Sequence, residues 1–111
     1  MIKVEVQRNP RGEIVALRVQ GHSGYAARGE DIVCAGVSTL AQSAVLGMER
    51  FLPEAFGYRV EGGFLKIEVP EAIGSEDRRS ASVILETAML GIEQIARKYP
   101  KNIKIVRTNG L

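Results

Sequence analysis

Apolar and polar residues alternate along the first part of the chain. The alternation runs through residues 2–7 and again through 13–20, and Asn9-Pro10-Arg11-Gly12 separates the two segments. A period of two is typical of a strand with one buried face, and Pro with Gly in a short connection favours a turn. The pattern predicts an N-terminal β-hairpin that places His22 just past its second strand. The residues expected on the buried face of that strand are Val15, Leu17 and Val19.

A long apolar helix is predicted from about Asp31 to Leu52. Apolar residues recur there at helical spacing, Asp31 suits the N-cap position, and Pro53 follows the predicted end. The apolar face is so wide that we expect other parts of the protein to enclose it on more than one side, with a second subunit supplying the extra cover. That face comprises Val33, Val37, Leu40, Ala41, Ala44, Val45, Met48, Phe51 and Leu52.

The second half of the chain repeats the order of hairpin and helix. Residues 57–69 predict a hairpin closed at Gly62-Gly63, a pair that suits a tight primed turn. Ser75 is expected to cap a second helix that ends before Pro100. Gly91 inside this helix implies a close packing contact, since glycine costs about 1 kcal/mol there relative to alanine. Apolar residues at helical spacing on this helix are Ala81, Leu85, Ala88, Ile92, Ile95 and Tyr99.

A last short strand, marked by Ile103 and Ile105, completes the order ββαββαβ. Two hairpins and a final strand predict a mainly antiparallel sheet with two helices packed against it. The fold class is therefore α+β, as a two-layer domain, and residues 1–111 are expected to form this single domain.

The composition limits the compartment and the partners. One cysteine excludes an intramolecular disulfide bond, and the N-terminus shows no signal-peptide pattern. No uninterrupted apolar run approaches the roughly 20 residues that span a bilayer. We therefore expect a cytoplasmic protein without a membrane partner.

The charge pattern gives little support to nucleic-acid binding. The net charge is only +2, although five cations follow the last acidic residue, Glu93. These cations lack interleaved aromatic residues for stacking on bases, and their positions at a helix C-terminus and on an exposed edge strand explain them better. Nucleic acid is accordingly not an expected partner. The cations are Arg97, Lys98, Lys101, Lys104 and Arg107.

The only histidine and the only cysteine, His22 and Cys34, lie close together in the sequence. With Asp31 as the N-cap, Cys34 falls near the third helical position, where the helix dipole favours a thiolate. An adjacent imidazole could act as general base and acid, and N–H groups at the helix start could bind an oxyanion. The alternative is that Cys34 is a small buried hydrophobic residue.

Several neighbouring residues have two interpretations. Asp31 is either an N-cap or a third member that orients His22. Ser38, one turn beyond Cys34, either forms a hydrogen bond in the site or allows close packing. The loop 23–29 is either a connector or a mobile lid, in which Tyr25 and Arg28 are large enough to touch a ligand.

Metal and cofactor chemistry is not expected. A zinc site needs about three or four protein ligands, and the chain offers one His and one Cys. Neither a Walker-type phosphate loop nor a dinucleotide-binding glycine pattern is present.

Two blocks resemble the signature of the bacterial ribosomal-processing cysteine protease family, Prp. They are Gly21-His22-Ser23-Gly24-Tyr25 with Gly29, and Asp31-Ile32-Val33-Cys34-Ala35-Gly36-Val37-Ser38. The length and element order also match over the whole chain. Members of that family often have Ala at the positions of Ser23 and Gly36, and neither change touches the His–Cys pair.

The resemblance implies a homodimeric Cys–His endopeptidase that removes an N-terminal extension from a large-subunit ribosomal protein. Cys34 would be the nucleophile and His22 the base and acid, and the loop 23–29 would order around the extended peptide. The candidate substrate-binding or supporting residues beside them are Asp31, Ser38, Gly21 and Tyr25. The competing functions are a non-catalytic ribosome-associated binding module that uses the basic C-terminal region, and a redox-sensing thiol at Cys34.

Overall fold

The computed structural model describes residues 1–27 and 30–109. It has the predicted element order and α+β class. The elements are β1 (Ile2–Arg8), β2 (Ile14–Gly21), α1 (Ile32–Phe51), β3 (Gly57–Glu61), β4 (Phe64–Glu68), α2 (Ser75–Lys98) and β5 (Ile103–Thr108).

The five strands form one sheet in the order β3-β4-β2-β1-β5. Every neighbouring pair is antiparallel except β1 and β5, which are parallel. The predicted, mainly antiparallel sheet is therefore confirmed, and β5 is an edge strand as expected. Both helices share one apolar core with the sheet, so the two-layer arrangement is confirmed as well.

The buried face of β2 differs from the prediction. The pairing of β1 with β2 shifts between Gln7 and Arg8, so that Ala16 faces Gln7 and Ile14 faces Arg8. Val15 is the extra residue of this bulge, and Ile14 takes the fully buried position. An extra residue changes which side chains face inward, a change that strict alternation does not anticipate.

Helix α1 has the predicted bounds within one residue at each end, with Asp31 as N-cap and Leu52 as C-cap. Its outer side is open in the single chain, where Phe51 is 68% exposed and Leu46 65% exposed. The expected cover by a second subunit stays a prediction. The sheet and α2 cover only one side of the helix. The buried side consists of Val33, Val37, Ala41, Ala44, Val45 and Met48.

The membrane expectation also needs a correction for α1. This helix is 20 residues long, and by length and composition alone it is apolar enough to cross a membrane. Core helices of globular proteins meet the same criterion, and one side of α1 packs in the shared core.

The close contact predicted at Gly91 is confirmed. A Cβ atom at Gly91 would lie 2.8 Å from Leu40 Cδ1 on α1. Gly36 of α1 has a similar contact, since its Cβ would lie 3.0 Å from Ile95 Cδ1. Glycines on both helices thus allow the two backbones to approach closely.

Two local predictions in the second half are wrong. Only Gly63 of the β3–β4 turn has a positive φ, of 72°, whereas primed turns need a positive φ at the first central residue, Gly62. The N-cap of α2 is Gly74, because Gly74 is the residue with an extended backbone directly before the helix. As a glycine it supplies no side-chain cap. Ser75 is already helical, so its hydroxyl does not cap the helix.

We predict that Gly74→Ser stabilises the protein by about 0.5–1 kcal/mol, by supplying a cap and by reducing the freedom of the unfolded chain. Its φ is −64°, and a Cβ there meets open space, so no strain opposes the change. Ser75→Ala is the matched control and should leave stability within about 0.5 kcal/mol. Urea unfolding measures both, and a larger loss in Ser75→Ala would mean that Ser75 caps α2 in solution.

Candidate active site at the start of the first helix

Cys34 is the third residue of α1, and the cap of the helix fixes its backbone. Asp31 Oδ1 accepts a hydrogen bond of 2.9 Å from the Cys34 N–H, the bond expected between an N-cap and the third helical residue. The side chain is only partly buried. The sulfur atom therefore lies at the positive end of the helix dipole, where a thiolate is favoured.

His22 directly follows β2, as predicted, and its side chain is exposed. Its imidazole lies against Gly63 in the β3–β4 turn, where a Cβ would be 3.7 Å from both Cε1 and Nε2 of the ring. The Gly21 N–H donates to the Gly63 carbonyl oxygen at 3.0 Å, which ties the end of β2 to this turn.

Gly21 shapes the backbone that presents His22. Its φ is +93°, a value that favours glycine, and a Cβ at this position would lie 2.6 Å from the Met1 carbonyl oxygen. A larger residue would have to displace the N-terminus of β1. The structure thus gives Gly21 a clear backbone role next to the candidate base.

Two clefts meet at the candidate dyad. One has a volume of about 220 Å³ and the other about 550 Å³, and both are lined by His22, Cys34 and Ser38. The smaller cleft is completed mainly by the β3–β4 hairpin and by α1, and the larger by the loop after His22 and the start of α1. A thiol and an imidazole in shared clefts can act together as nucleophile and base.

Ser23 connects the two segments that carry His22 and Cys34. Its N–H donates to Cys34 Sγ at 3.2 Å, and its hydroxyl donates to Asp31 Oδ2. The hydroxyl also accepts from the Tyr25 N–H at 3.0 Å. Ser23 is 2% exposed, so these bonds are shielded from water.

The second carboxylate oxygen of Asp31 accepts hydrogen bonds from the loop that follows His22. Oδ2 also accepts from the Ala26 N–H at 3.3 Å. Burial of the carboxylate raises its pKa, but the hydrogen bonds from Ser23, Cys34 and Ala26 outweigh this and lower the pKa from 3.8 to about 2. Asp31 is therefore a carboxylate at neutral pH.

The backbone donors at the helix start are less free than the sequence suggested. The Cys34 N–H donates to Asp31 Oδ1, and the Ala35 N–H donates to the Asp31 carbonyl oxygen at 3.0 Å. These two groups are therefore not available to bind an oxyanion in this conformation. The N–H that points at the sulfur belongs to Ser23, outside the helix.

A family model described as cysteine protease Prp matches residues 1–104. This chain belongs to that family. The ribosomal processing cysteine protease Prp of Bacillus subtilis is 31% identical over 108 residues, which cover 95% of this chain and 96% of that protein. The protein of the same name from Staphylococcus aureus is 29% identical over 108 residues, with 95% of this chain and 97% of that protein covered.

Solved structures agree with this assignment. The S. aureus ribosomal processing protease Prp, in complex with a covalently linked product peptide, matches with a TM-score of 0.86 and 25% identity, over 97% of this chain and 100% of that chain. The S. aureus protease in complex with a substrate peptide shares the fold, with a TM-score of 0.81 and 24% identity, over 97% of this chain and 100% of that chain. As a member of the Prp family, this chain is a cysteine peptidase.

Within this Prp-family fold, Asp31 has the geometry of the N-cap. No hydrogen bond joins it to His22 in the part of the chain that the structure describes. Ser38 lines both clefts on the same side of α1 as Cys34, and its hydroxyl accepts from Gln42 Nε2 at 2.9 Å. Both residues thus lie next to the candidate dyad. Asp31 binds the backbone N–H of Cys34, and Ser38 forms part of the wall of both clefts.

Tyr25 packs edge-on against Tyr99, with 5.2 Å between ring centroids, and is not among the described residues that line the two clefts. Arg28 and Gly29 lie outside the described residues. The described part of the loop is tied to Asp31 through Ser23 and Ala26. Its behaviour as a lid stays a prediction.

Sequence reasoning missed the contribution of the β3–β4 hairpin. Val60, Glu61 and Phe64 line the smaller cleft, and Gly63 contacts the imidazole. The Gly62-Gly63 pair was the one available signal, and it indicated only a turn. Asn102 was also missed. Its Nδ2 donates to the Ser23 carbonyl oxygen at 3.0 Å, but the two residues are far apart in the sequence.

Between residues 1–27 and 30–109, no group of three or more His, Cys, Asp or Glu side chains is arranged to hold a metal ion.

We predict that the low pKa of Asp31 makes stability depend on pH in the acidic range. The folded-state pKa lies below the unfolded value of 3.8, so the contribution is fully present above that value and is lost as the pH falls toward about 2. Urea unfolding from pH 6 to pH 2 should show a steeper loss for the wild-type protein than for Asp31→Asn. Equal slopes would mean that the Asp31 carboxylate is not stabilised by folding.

Proposed function

We propose that this chain is a cysteine endopeptidase that removes the N-terminal extension of a large-subunit ribosomal protein. Cys34 is the nucleophile, and His22 is the general base and acid. The observation that carries the proposal is that both side chains line the same two clefts, with Cys34 at the N-terminus of α1. The naming of the relatives as ribosomal processing cysteine proteases supports the choice of substrate.

The chemistry follows from the two side chains. His22 takes the proton of the Cys34 thiol, and the sulfur attacks the carbonyl carbon of the scissile peptide bond. The C–N bond then breaks, the imidazolium protonates the leaving amine, and a thioester remains on Cys34. Water, deprotonated by His22, hydrolyses the thioester, which releases a carboxylic acid product and restores the thiol.

The arrangement of the clefts supports an extended peptide as substrate. Because the clefts share His22, Cys34 and Ser38, a chain that passes from one to the other crosses the sulfur atom. The smaller cleft combines apolar side chains such as Val60 and Leu65 with Glu61 and Gln42. This cleft would accept an apolar side chain with a polar group at its rim.

The other predicted site residues act around this pair. Asp31 positions the Cys34 backbone and the loop of Ser23, and Gly21 allows the turn that presents His22. Ser38 forms part of the cleft wall beside the sulfur. Tyr25 flanks the site from the loop 23–29, which we propose orders around the bound peptide.

We also propose that the protein is a homodimer in the cytoplasm. Apolar side chains remain exposed on the outer side of both helices, with Leu46 65% exposed and Leu90 62% exposed. The two helices pack side by side, since a Cβ at Gly47 of α1 would be 3.5 Å from Ile84 of α2. A second copy would cover this surface, formed by Leu46, Phe51, Val83 and Leu90.

Cys34→Ala and His22→Ala should each reduce cleavage of the ribosomal protein precursor by at least about 100-fold, because each removes a reacting group. Intact mass spectrometry of the precursor should show one N-terminal truncation with the wild-type protein and none with Cys34→Ala. Ser43→Ala, an exposed hydroxyl of the same helix outside the clefts, is the control and should cleave normally.

Two results would contradict the protease proposal. One is an unchanged precursor mass with folded wild-type protein, and the other is full cleavage by Cys34→Ala. Binding to ribosomes that survives Cys34→Ala but weakens with salt and with Lys101→Ala or Lys104→Ala would favour the binding module instead. Arg107, a third cation of that region, pairs with Glu93 at 3.7 Å.

For the dimer, Leu46→Arg and Val83→Arg should shift the mass in sedimentation equilibrium from two chains toward one, since each places a charge in the proposed apolar interface. Thr108→Arg, on the exposed end of β5, is the control and should leave the mass unchanged. A wild-type protein that sediments as one chain at high concentration would exclude this dimer.

A further inference from the structure

The turn between α2 and β5 contacts the loop after His22 at two points. Asn102 Nδ2 donates to the Ser23 carbonyl oxygen at 3.0 Å, and the Tyr99 ring packs edge-on against Tyr25. This turn lies 79 positions along the chain from Ser23.

Ser23 is the residue whose orientation this contact controls. Its N–H donates to Cys34 Sγ at 3.2 Å, and its hydroxyl donates to Asp31 Oδ2. With Asn102 on the carbonyl oxygen, all three polar groups of Ser23 are held, and each by a different residue. A hydrogen bond to sulfur favours the thiolate only while the donor stays directed at it.

We propose that Asn102 is a positioning residue, which holds Ser23 so that its N–H stays directed at Cys34 Sγ and thereby favours the thiolate. Asn102 acts on the sulfur through Ser23 and does not itself touch the reacting atoms. The effect of Asn102 on catalysis rests on the proposed cysteine endopeptidase function, whereas its effect on the ionisation of the Cys34 thiol does not.

The turn itself is held by backbone bonds that a side-chain substitution leaves in place. The Asn102 N–H donates to the Tyr99 carbonyl oxygen at 3.0 Å, and the Ile2 N–H donates to the Asn102 carbonyl oxygen at 2.9 Å. Removal of the Asn102 amide should therefore free Ser23 without unfolding the turn.

The other titratable groups around the sulfur are not themselves substituted in such a variant. Among residues 1–27 and 30–109, the titratable groups that line the clefts with Cys34 are His22 at the end of β2, Asp31 at the start of α1, and Glu61 on β3. A change in the ionisation of Cys34 in an Asn102 variant is thus attributable to the loss of orientation at Ser23.

The test is the rate of Cys34 alkylation by iodoacetamide as a function of pH. Cys34 is the only cysteine, so the rate reports this thiol alone. Asn102→Ala should raise the midpoint of the profile by about one pH unit, the size expected for the loss of one hydrogen bond to a charged group. Asn102→Leu keeps the volume of the side chain and should show the same shift if Asn102→Ala folds poorly.

Ile103→Val is the matched control, because it weakens the core next to Asn102 without touching Ser23. Its thermal midpoint should fall while its alkylation midpoint stays at the wild-type value. If both Asn102 variants also lose stability while their alkylation midpoints stay unchanged, the proposal is overturned and Asn102 has only a structural role.

Peptide cleavage separates this proposal from the proposed function. We expect Asn102→Ala to lower kcat several-fold at neutral pH, with a smaller loss above the shifted midpoint and little change in KM. A shifted alkylation midpoint in Asn102→Ala, together with a wild-type protein that cleaves no precursor, would support the positioning role and reject the protease. Cleavage of the precursor by the wild-type protein, together with an unshifted alkylation midpoint in Asn102→Ala, would support the protease and reject the positioning role.

Discussion

The carboxylate of Asp31 joins the two short segments that carry the candidate dyad. One oxygen caps α1 through the Cys34 N–H, and the other accepts from the Ser23 hydroxyl and the Ala26 N–H. Asp31 is 8% exposed and Ser23 2% exposed, so the hydrogen bond between them is shielded from water. One charged group thus sets the start of the helix and the path of the loop that leads away from His22.

The sheet order brings a third segment to the same place. Strand β4 pairs with β2, so the β3–β4 turn lies beside the end of β2, where His22 begins the loop. The approach is close enough that Gly21 bonds to the Gly63 carbonyl and the imidazole rests on Gly63. A side chain at Gly63 would contact the candidate base, so glycine here serves both the turn and the site.

The sequence predictions failed where a local rule met a tertiary constraint. The bulge at Val15 moved Ile14 into the core, because register depends on the partner strand as well as on alternation. Ser75 proved helical because the extended residue before it, Gly74, took the cap position. Phe51, by contrast, follows the apolar spacing of α1 and is exposed in the single chain, as the expected cover by a second subunit requires.

The sequence by itself determined the element order, the bounds of α1, the N-cap at Asp31 and the two residues that suit nucleophilic chemistry. These features depend on contacts between near neighbours, such as a cap and the third helical residue, and such contacts can be read from spacing. The tertiary structure decided which segments surround the dyad. The contacts of Gly63 with His22 and of Asn102 with Ser23 join residues far apart in the chain, and their spacing carries no periodic signal. They arise because strand pairing and helix packing bring these turns together.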